Sequence, residues 1–117
     1  MKILITGING FLGQYLSRTL SLAGYEVIGL GKQGNCLTEV SSYFSGSVLD
    51  RGIVQKSCKD VQIIIHLASI TAHNELINNR YNALELNFLG TKNVLDSFIH
   101  SNKAEKLKRA KSFARVK

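Results

Sequence analysis

The chain has 117 residues, 44% of them hydrophobic, with a formal charge of +7, two cysteines and no proline. That length fits one domain able to bury a sizeable core, and that composition excludes wholesale disorder. No apolar run approaches the ~18 residues of a membrane span, and the chain starts on an apolar strand with no charged leader, so a cytoplasmic protein is expected. The charge is unevenly placed: residues 1–100 hold eight Lys/Arg against seven Asp/Glu, whereas residues 101–117 hold seven against Glu105 alone. The basic character therefore belongs to a tail, expected to be a solvated end. An arm for nucleic acid or an acidic membrane is the weaker reading, with only Phe113 available for base stacking. Cys36 and Cys58 lack metal-ligand spacing and read as reduced thiols; no metal site is expected.

Met1 to Ile5 is short, apolar and β-branched, as in a strand buried on both faces of a parallel sheet. Thr6-Gly7-Ile8-Asn9-Gly10-Phe11-Leu12-Gly13 follows, and from Gln14 to Ala23 the periodicity is helical. Strand, glycine turn and helix together aim backbone amides at a phosphate. Gly7 permits the tight turn, Gly10 lets a pyrophosphate approach the backbone, and Gly13 lets the helix pack closely on the strand. The spacing is G-x-x-G-x-x-G, without the Lys-Ser/Thr ending of a nucleotide-triphosphatase loop.

Glu26 to Leu30 predicts a second buried strand. At its end an acidic residue would accept hydrogen bonds from the adenosine ribose and favour NAD, whereas a basic residue tolerates the 2′-phosphate of NADP. Gly31 and Lys32 stand there. The expectation leans to NADP over NAD, with Lys32 either the phosphate contact or an ordinary loop lysine. Residues 33–42 read as a loop with room for a short helix, and Tyr43 to Val48 as a third strand. Asp50 is placed to cap a helix from Arg51 to about Lys59. Ile63 to Leu67 predicts a central strand, with His66 packed at its end and Ala68-Ser69 at the carboxyl edge, where open α/β sheets hold ligands. Leu84, Phe88, Thr91, Leu95 and Phe98 recur at steps of 4, 3, 4 and 3, one face of a long helix. Gly90 on it implies close approach to the sheet, and Asn87 reads either as a backbone-bonding Asn or as a ligand contact. Beyond residue 100 no strand pattern is visible.

Three motifs carry a resemblance. The Thr6–Gly13 turn, His66-Leu67-Ala68-Ser69, and Asn87-Phe88-Leu89-Gly90-Thr91-Lys92-Asn93-Val94-Leu95 resemble, in order and spacing, the cofactor turn, the His-Leu-Ala-Ala strand end and the Asn-x-x-Gly-Thr helix of the extended short-chain dehydrogenase/reductase group, the NAD-dependent epimerase/dehydratases that act on nucleotide sugars. The resemblance covers about residues 1–100. It implies an α/β fold, a Rossmann-like doubly wound parallel sheet of strand order 3-2-1-4, as an incomplete domain over residues 1–100 with a basic tail over 101–117. It also implies a cofactor site of Gly7, Asn9, Gly10, Phe11, Leu12, Gly13, Lys32, Ser47, Val48, Leu67, Ala68, Ser69 and Asn87.

Departures from the pattern matter as much. Gly46-Ser47-Val48 stands where the family has Gly-Asp-hydrophobic, leaving Ser47 as a weaker partner for adenine. The next strand, due near residue 107, is not visible, and no tyrosine has a lysine four residues on. The resemblance therefore implies a truncated, catalytically incompetent cofactor domain, with no catalytic residue assigned. The alternative is a non-catalytic dinucleotide module, or a subunit whose open sheet edge beside the fourth strand is covered by a partner chain.

Overall fold

The computed structural model describes residues 1–70, 77–101 and 115–116. Strands β1 (Lys2–Thr6), β2 (Glu26–Gly31), β3 (Ser42–Ser45), β4 (Ile63–His66) and β5 (Arg115–Val116) form one parallel sheet of order β3-β2-β1-β4-β5. Helices α1 (Phe11–Leu22), α2 (Arg51–Ser57) and α3 (Arg80–Ser101) cover its faces. The order 3-2-1-4 expected from the sequence is present, and β1 is central, with Leu4 opposite Ile28 on one side and Ile64 on the other.

The expectation that no strand follows residue 100 is corrected. Arg115 pairs with Ile65 and Val116 with His66, parallel to β4. The edge read as open is therefore paired at its carboxyl end, and two residues are too short to leave a period-2 trace in the sequence. β3 is also shorter than expected. It ends at Ser45, so Ser47 and Val48 stand on the turn that follows. The loop after β2 contains no helix. α2 starts where expected, with Asp50 accepting hydrogen bonds from the amides of Gly52 (3.0 Å) and Ile53 (3.3 Å).

The two faces of the sheet bury different amounts. Leu4, Ile28, Leu30 and Ile64 turn to one face, where Val54 and Cys58 of α2 and Leu86, Val94 and Phe98 of α3 close over them. Ile3, Ile5, Ile8 and Val27 turn to the other, where partly buried Leu16 and Leu20 of α1 supply the cover.

The face of α3 that meets the sheet is not the one its apolar periodicity picks out. Leu84 and Phe88 are each 67% exposed, whereas Ala83, Leu86, Gly90, Val94, Ser97 and Phe98 are buried. Small side chains set this rotation. A Cβ on Gly90 would run into Val48 Cγ2, so helix and loop touch backbone to side chain there, and Ala83 and Ser97 lie one seven-residue step either side. Asn93 fixes the same junction by donating to the Val48 carbonyl at 3.0 Å.

Candidate functional site

At the carboxyl edge of the sheet the chain turns from β1 to α1 through three glycines. Gly7 has φ +69°, and a Cβ there would meet the backbone of Leu67 and Ala68 at 2.9 and 2.8 Å. A side chain is therefore excluded by both conformation and space. A Cβ on Gly13 would lie 2.5 Å from the Gly7 carbonyl oxygen and 2.7 Å from that of Ile8. The helix thus closes on the turn itself rather than on the strand. Gly10 is the N-cap of α1, with no side-chain cap bond, and the first turn carries no acidic residue. The first amides of a helix have no intrahelical acceptor, so this end keeps its positive polarity for an external anion.

Beside this turn lies a cavity of about 410 Å³. Gly7, Asn9 and Gly10 form one wall, Lys32 and Val48 a second, and Leu67, Ala68 and Ser69 a third. These eight are among the residues singled out from the sequence. Phe11, Leu12, Gly13, Ser47 and Asn87 do not line it: Phe11 is 93% exposed, and the Ser47 hydroxyl accepts from the Leu49 amide at 3.1 Å. Leu30, Gly31, Gln33, Gly46, Ile70 and Leu86 line it without having been singled out as contacts. Among the lining residues Lys32 alone is charged. Among the described residues no group of three or more His, Cys, Asp and Glu could hold a metal, and no helix is long and apolar enough to cross a membrane.

A buried hydrogen-bond chain fixes the wall between β1 and β4. The Thr6 hydroxyl accepts from the amides of Leu67 (3.1 Å) and Ala68 (3.2 Å), which leaves its own proton for Nδ1 of His66 at 2.6 Å. His66 then carries its hydrogen on Nε2 and donates it to the Thr91 hydroxyl at 3.0 Å, which in turn donates to the Asn87 carbonyl at 2.6 Å. Every donor meets an acceptor only when the imidazole is neutral, and burial lowers the His66 pKa in the same direction. Asn87 takes the backbone-bonding role: it accepts from the Ile70 amide (2.7 Å) and donates to the Ile70 carbonyl (3.0 Å). It thereby anchors the segment leaving β4, as a neighbouring strand would.

A second cluster fixes the opposite wall. Asn9 Oδ1 accepts from the Leu37 amide at 2.7 Å, and Nδ2 faces Gln33 Oε1 (2.9 Å), the Asn35 carbonyl (3.2 Å) and the Tyr43 hydroxyl (3.3 Å). The Tyr43 hydroxyl donates to the Gln33 carbonyl, which also accepts from Ser45. Burial raises the Tyr43 pKa, so the phenol stays a donor. Tyr43 does not line the cavity but braces the loop beside it, a supporting role the sequence reading missed. Its trace is in β2, where Gly29 and Gly31 alternate on the side of the sheet across which Tyr43 lies; a Cβ on either would touch its ring or hydroxyl. Paired glycines in a strand mark such close approach.

The chain is similar in sequence and fold to several known proteins. A putative UDP-glucose 4-epimerase of Methanocaldococcus jannaschii is 32% identical over 101 residues, covering 80% of this chain and 32% of that protein. The structure of an epimerase from Methanothermobacter thermautotrophicus superposes with a TM-score of 0.76 at 27% identity, over 82% of this chain and 31% of that one. That of the Thermus thermophilus UDP-glucose 4-epimerase, in complex with NAD, gives 0.77 at 21% identity, over 86% and 34%, and speaks for the fold alone. The chain spans about a third of the length of these relatives. The model of the NAD dependent epimerase/dehydratase family matches residues 3–113, running past residue 100, where the sequence pattern had faded. With that model matched over nearly the whole length, the chain belongs to the NAD dependent epimerase/dehydratase family.

Proposed function

We propose that residues 1–70 and 77–101 form a pocket for a nicotinamide dinucleotide, NADP in preference to NAD, and that this segment holds the cofactor of a nucleotide-sugar epimerase, dehydratase or reductase. The observation that carries the reading is the uncapped, glycine-bared N-terminus of α1 opening on the cavity. Two unfilled needs meet there. The helix end has no side-chain cap and no acidic residue of its own in the first turn, and a diphosphate needs amide donors that no Cβ shields. A Cβ added at Gly10 would approach nothing except the Gly7 carbonyl, at 3.3 Å, so the ligand side of the turn is open. The residues present therefore fit the group.

When bound, a nicotinamide dinucleotide supplies hydride transfer. This chain's part is to bind and orient it. The Gly7–Gly10 turn at the N-cap of α1 receives the diphosphate, Val48 and Leu67 offer apolar contact, and Lys32 is the charge available to a 2′-phosphate. No tyrosine here is followed by a lysine four residues on, so the proton transfers of an epimerase or dehydratase are not assigned to this segment. NAD is bound by the Thermus thermophilus relative; the preference for NADP here rests on Gly31 and Lys32 standing where an acid would favour NAD.

Thermal unfolding in rising NADP and NAD tests the reading, since a ligand of the folded state raises Tm in proportion to RT ln(1 + [L]/Kd). A larger rise with NADP than with NAD is expected. No rise with either at millimolar concentration refutes the pocket, and a larger rise with NAD refutes the preference.

A further inference from the structure

We propose that Asn9 and Tyr43, acting as one clamp on the loop after β2, make this pocket select a dinucleotide phosphorylated on its adenosine ribose, and that residue 31 cannot be given that role. The inference rests on the dinucleotide reading above and adds to it the side chains that set the choice.

Position 31 is where a carboxylate would meet the ribose hydroxyls. Its backbone does not require glycine, because its φ lies outside the left-handed range. Its neighbours require it. A Cβ would stand 2.9 Å from the Tyr43 hydroxyl and 3.1 Å from Asn9 Nδ2. Neither group is free to yield. The Tyr43 hydroxyl is tied to the Gln33 carbonyl, and Asn9 Nδ2 shares its two hydrogens among three acceptors while Oδ1 holds the Leu37 amide. An acid placed at 31 would sit against two donors already in use. It would draw them from Gln33 and Asn35 instead of facing the ribose, and the loop would come loose from the glycine turn.

The same clamp determines what the wall offers instead. Asn9 belongs to the turn that would receive the diphosphate, and through it the 33–37 loop is bonded to that turn. Lys32 directly follows the strand end and lines this cavity with no carboxylate in its lining, while Glu85 lines with it only the smaller hollow next door. A wall with one cation and no anion attracts the more negative ligand, so a ribose phosphate fits it better than a bare pair of hydroxyls.

Dissociation constants for NADP and NAD, measured by calorimetry on the wild type and three variants, test this. The wild type should bind NADP about ten-fold more tightly or better. Gly31→Asp should weaken both ligands without inverting the preference. Tyr43→Phe, which removes the hydroxyl and keeps the ring, should shrink the NADP-to-NAD ratio by about three-fold or more. Adding Gly31→Asp to Tyr43→Phe should then recover NAD binding relative to Gly31→Asp alone. If Gly31→Asp by itself converts the site to NAD preference, or Tyr43→Phe leaves the ratio unchanged, the clamp does not set the choice. Should Gly31→Asp not fold, the Tyr43→Phe ratio decides alone. A wild type that binds neither ligand refutes the dinucleotide reading itself; one that binds both but prefers NAD refutes the preference and the clamp together and leaves the pocket standing; and one that prefers NADP regardless of Tyr43→Phe refutes the clamp alone.

Discussion

The two faces of the sheet teach different lessons about what holds this molecule together. On the α2 and α3 face, Leu4, Val54, Cys58 and Val61 are at most 2% exposed, and two helices close over the strands. On the α1 face, Ile3, Ile5, Ile8 and Val27 are as deeply buried but fewer, and the helix over them contributes only partly buried Leu16 and Leu20. The glycine turn belongs to the thinner face and the His66 chain to the thicker one. The pocket thus has one wall set in a deep core and another held mainly by polar side chains of a loop.

The sharpest way to break this contrast is truncation on each side. Leu4→Ala should lose about 2–5 kcal/mol of stability, because it opens a cavity in a layer that cannot collapse. Leu20→Ala on α1 should lose only about 1–2 kcal/mol, because part of its surface is already wet. Urea denaturation of both variants measures the difference; equal losses would mean that the faces are equally thick.

Acidification probes the thicker face alone. Burial lowers the His66 pKa, so the unfolded chain takes up its proton before the folded one does. The contribution is fully present above the ordinary value of about 6.5 and is lost as pH falls from there through the lowered folded value. Stability should therefore decline below about pH 6.5 with a slope of at most about 1.4 kcal/mol per pH unit from this group. His66→Gln should flatten the slope in denaturation curves taken at several pH values. An unchanged slope would show that the imidazole is not the group responsible.

The smallest expected effect is chemical rather than energetic. Cys58, fully buried on the thick face with its pKa pushed up to about 12, should resist alkylation of the native protein. Cys36, partly buried against the thin face, should react first. Mass spectrometry of the alkylated protein reads the order, and simultaneous labelling would mean that the thick face opens as readily as the thin one.

Much of this was legible in the chain itself, and the exceptions have physical causes. Gly7, Gly10 and Gly13 announced the turn because backbone geometry leaves few alternatives to glycine there. Asp50 announced α2 because an acid before a helix has one common use. The buried face of α3 was hidden because hydropathy rewards Leu84 and Phe88, whereas close approach to Val48 rewards Gly90 and Ala83. The Asn9–Tyr43 clamp was hidden for another reason: 34 residues separate side chains that only the β2–β3 pairing brings together.

The central place of β1 has a consequence for the newborn protein. The strand is synthesised before every partner it pairs with here, and Thr6 cannot meet His66 until 60 further residues have followed it. At ribosomal speeds of about 5–20 residues per second, its second edge waits roughly 3–12 seconds. During that interval an apolar ribbon with one bare side is available to chaperones or to stray association.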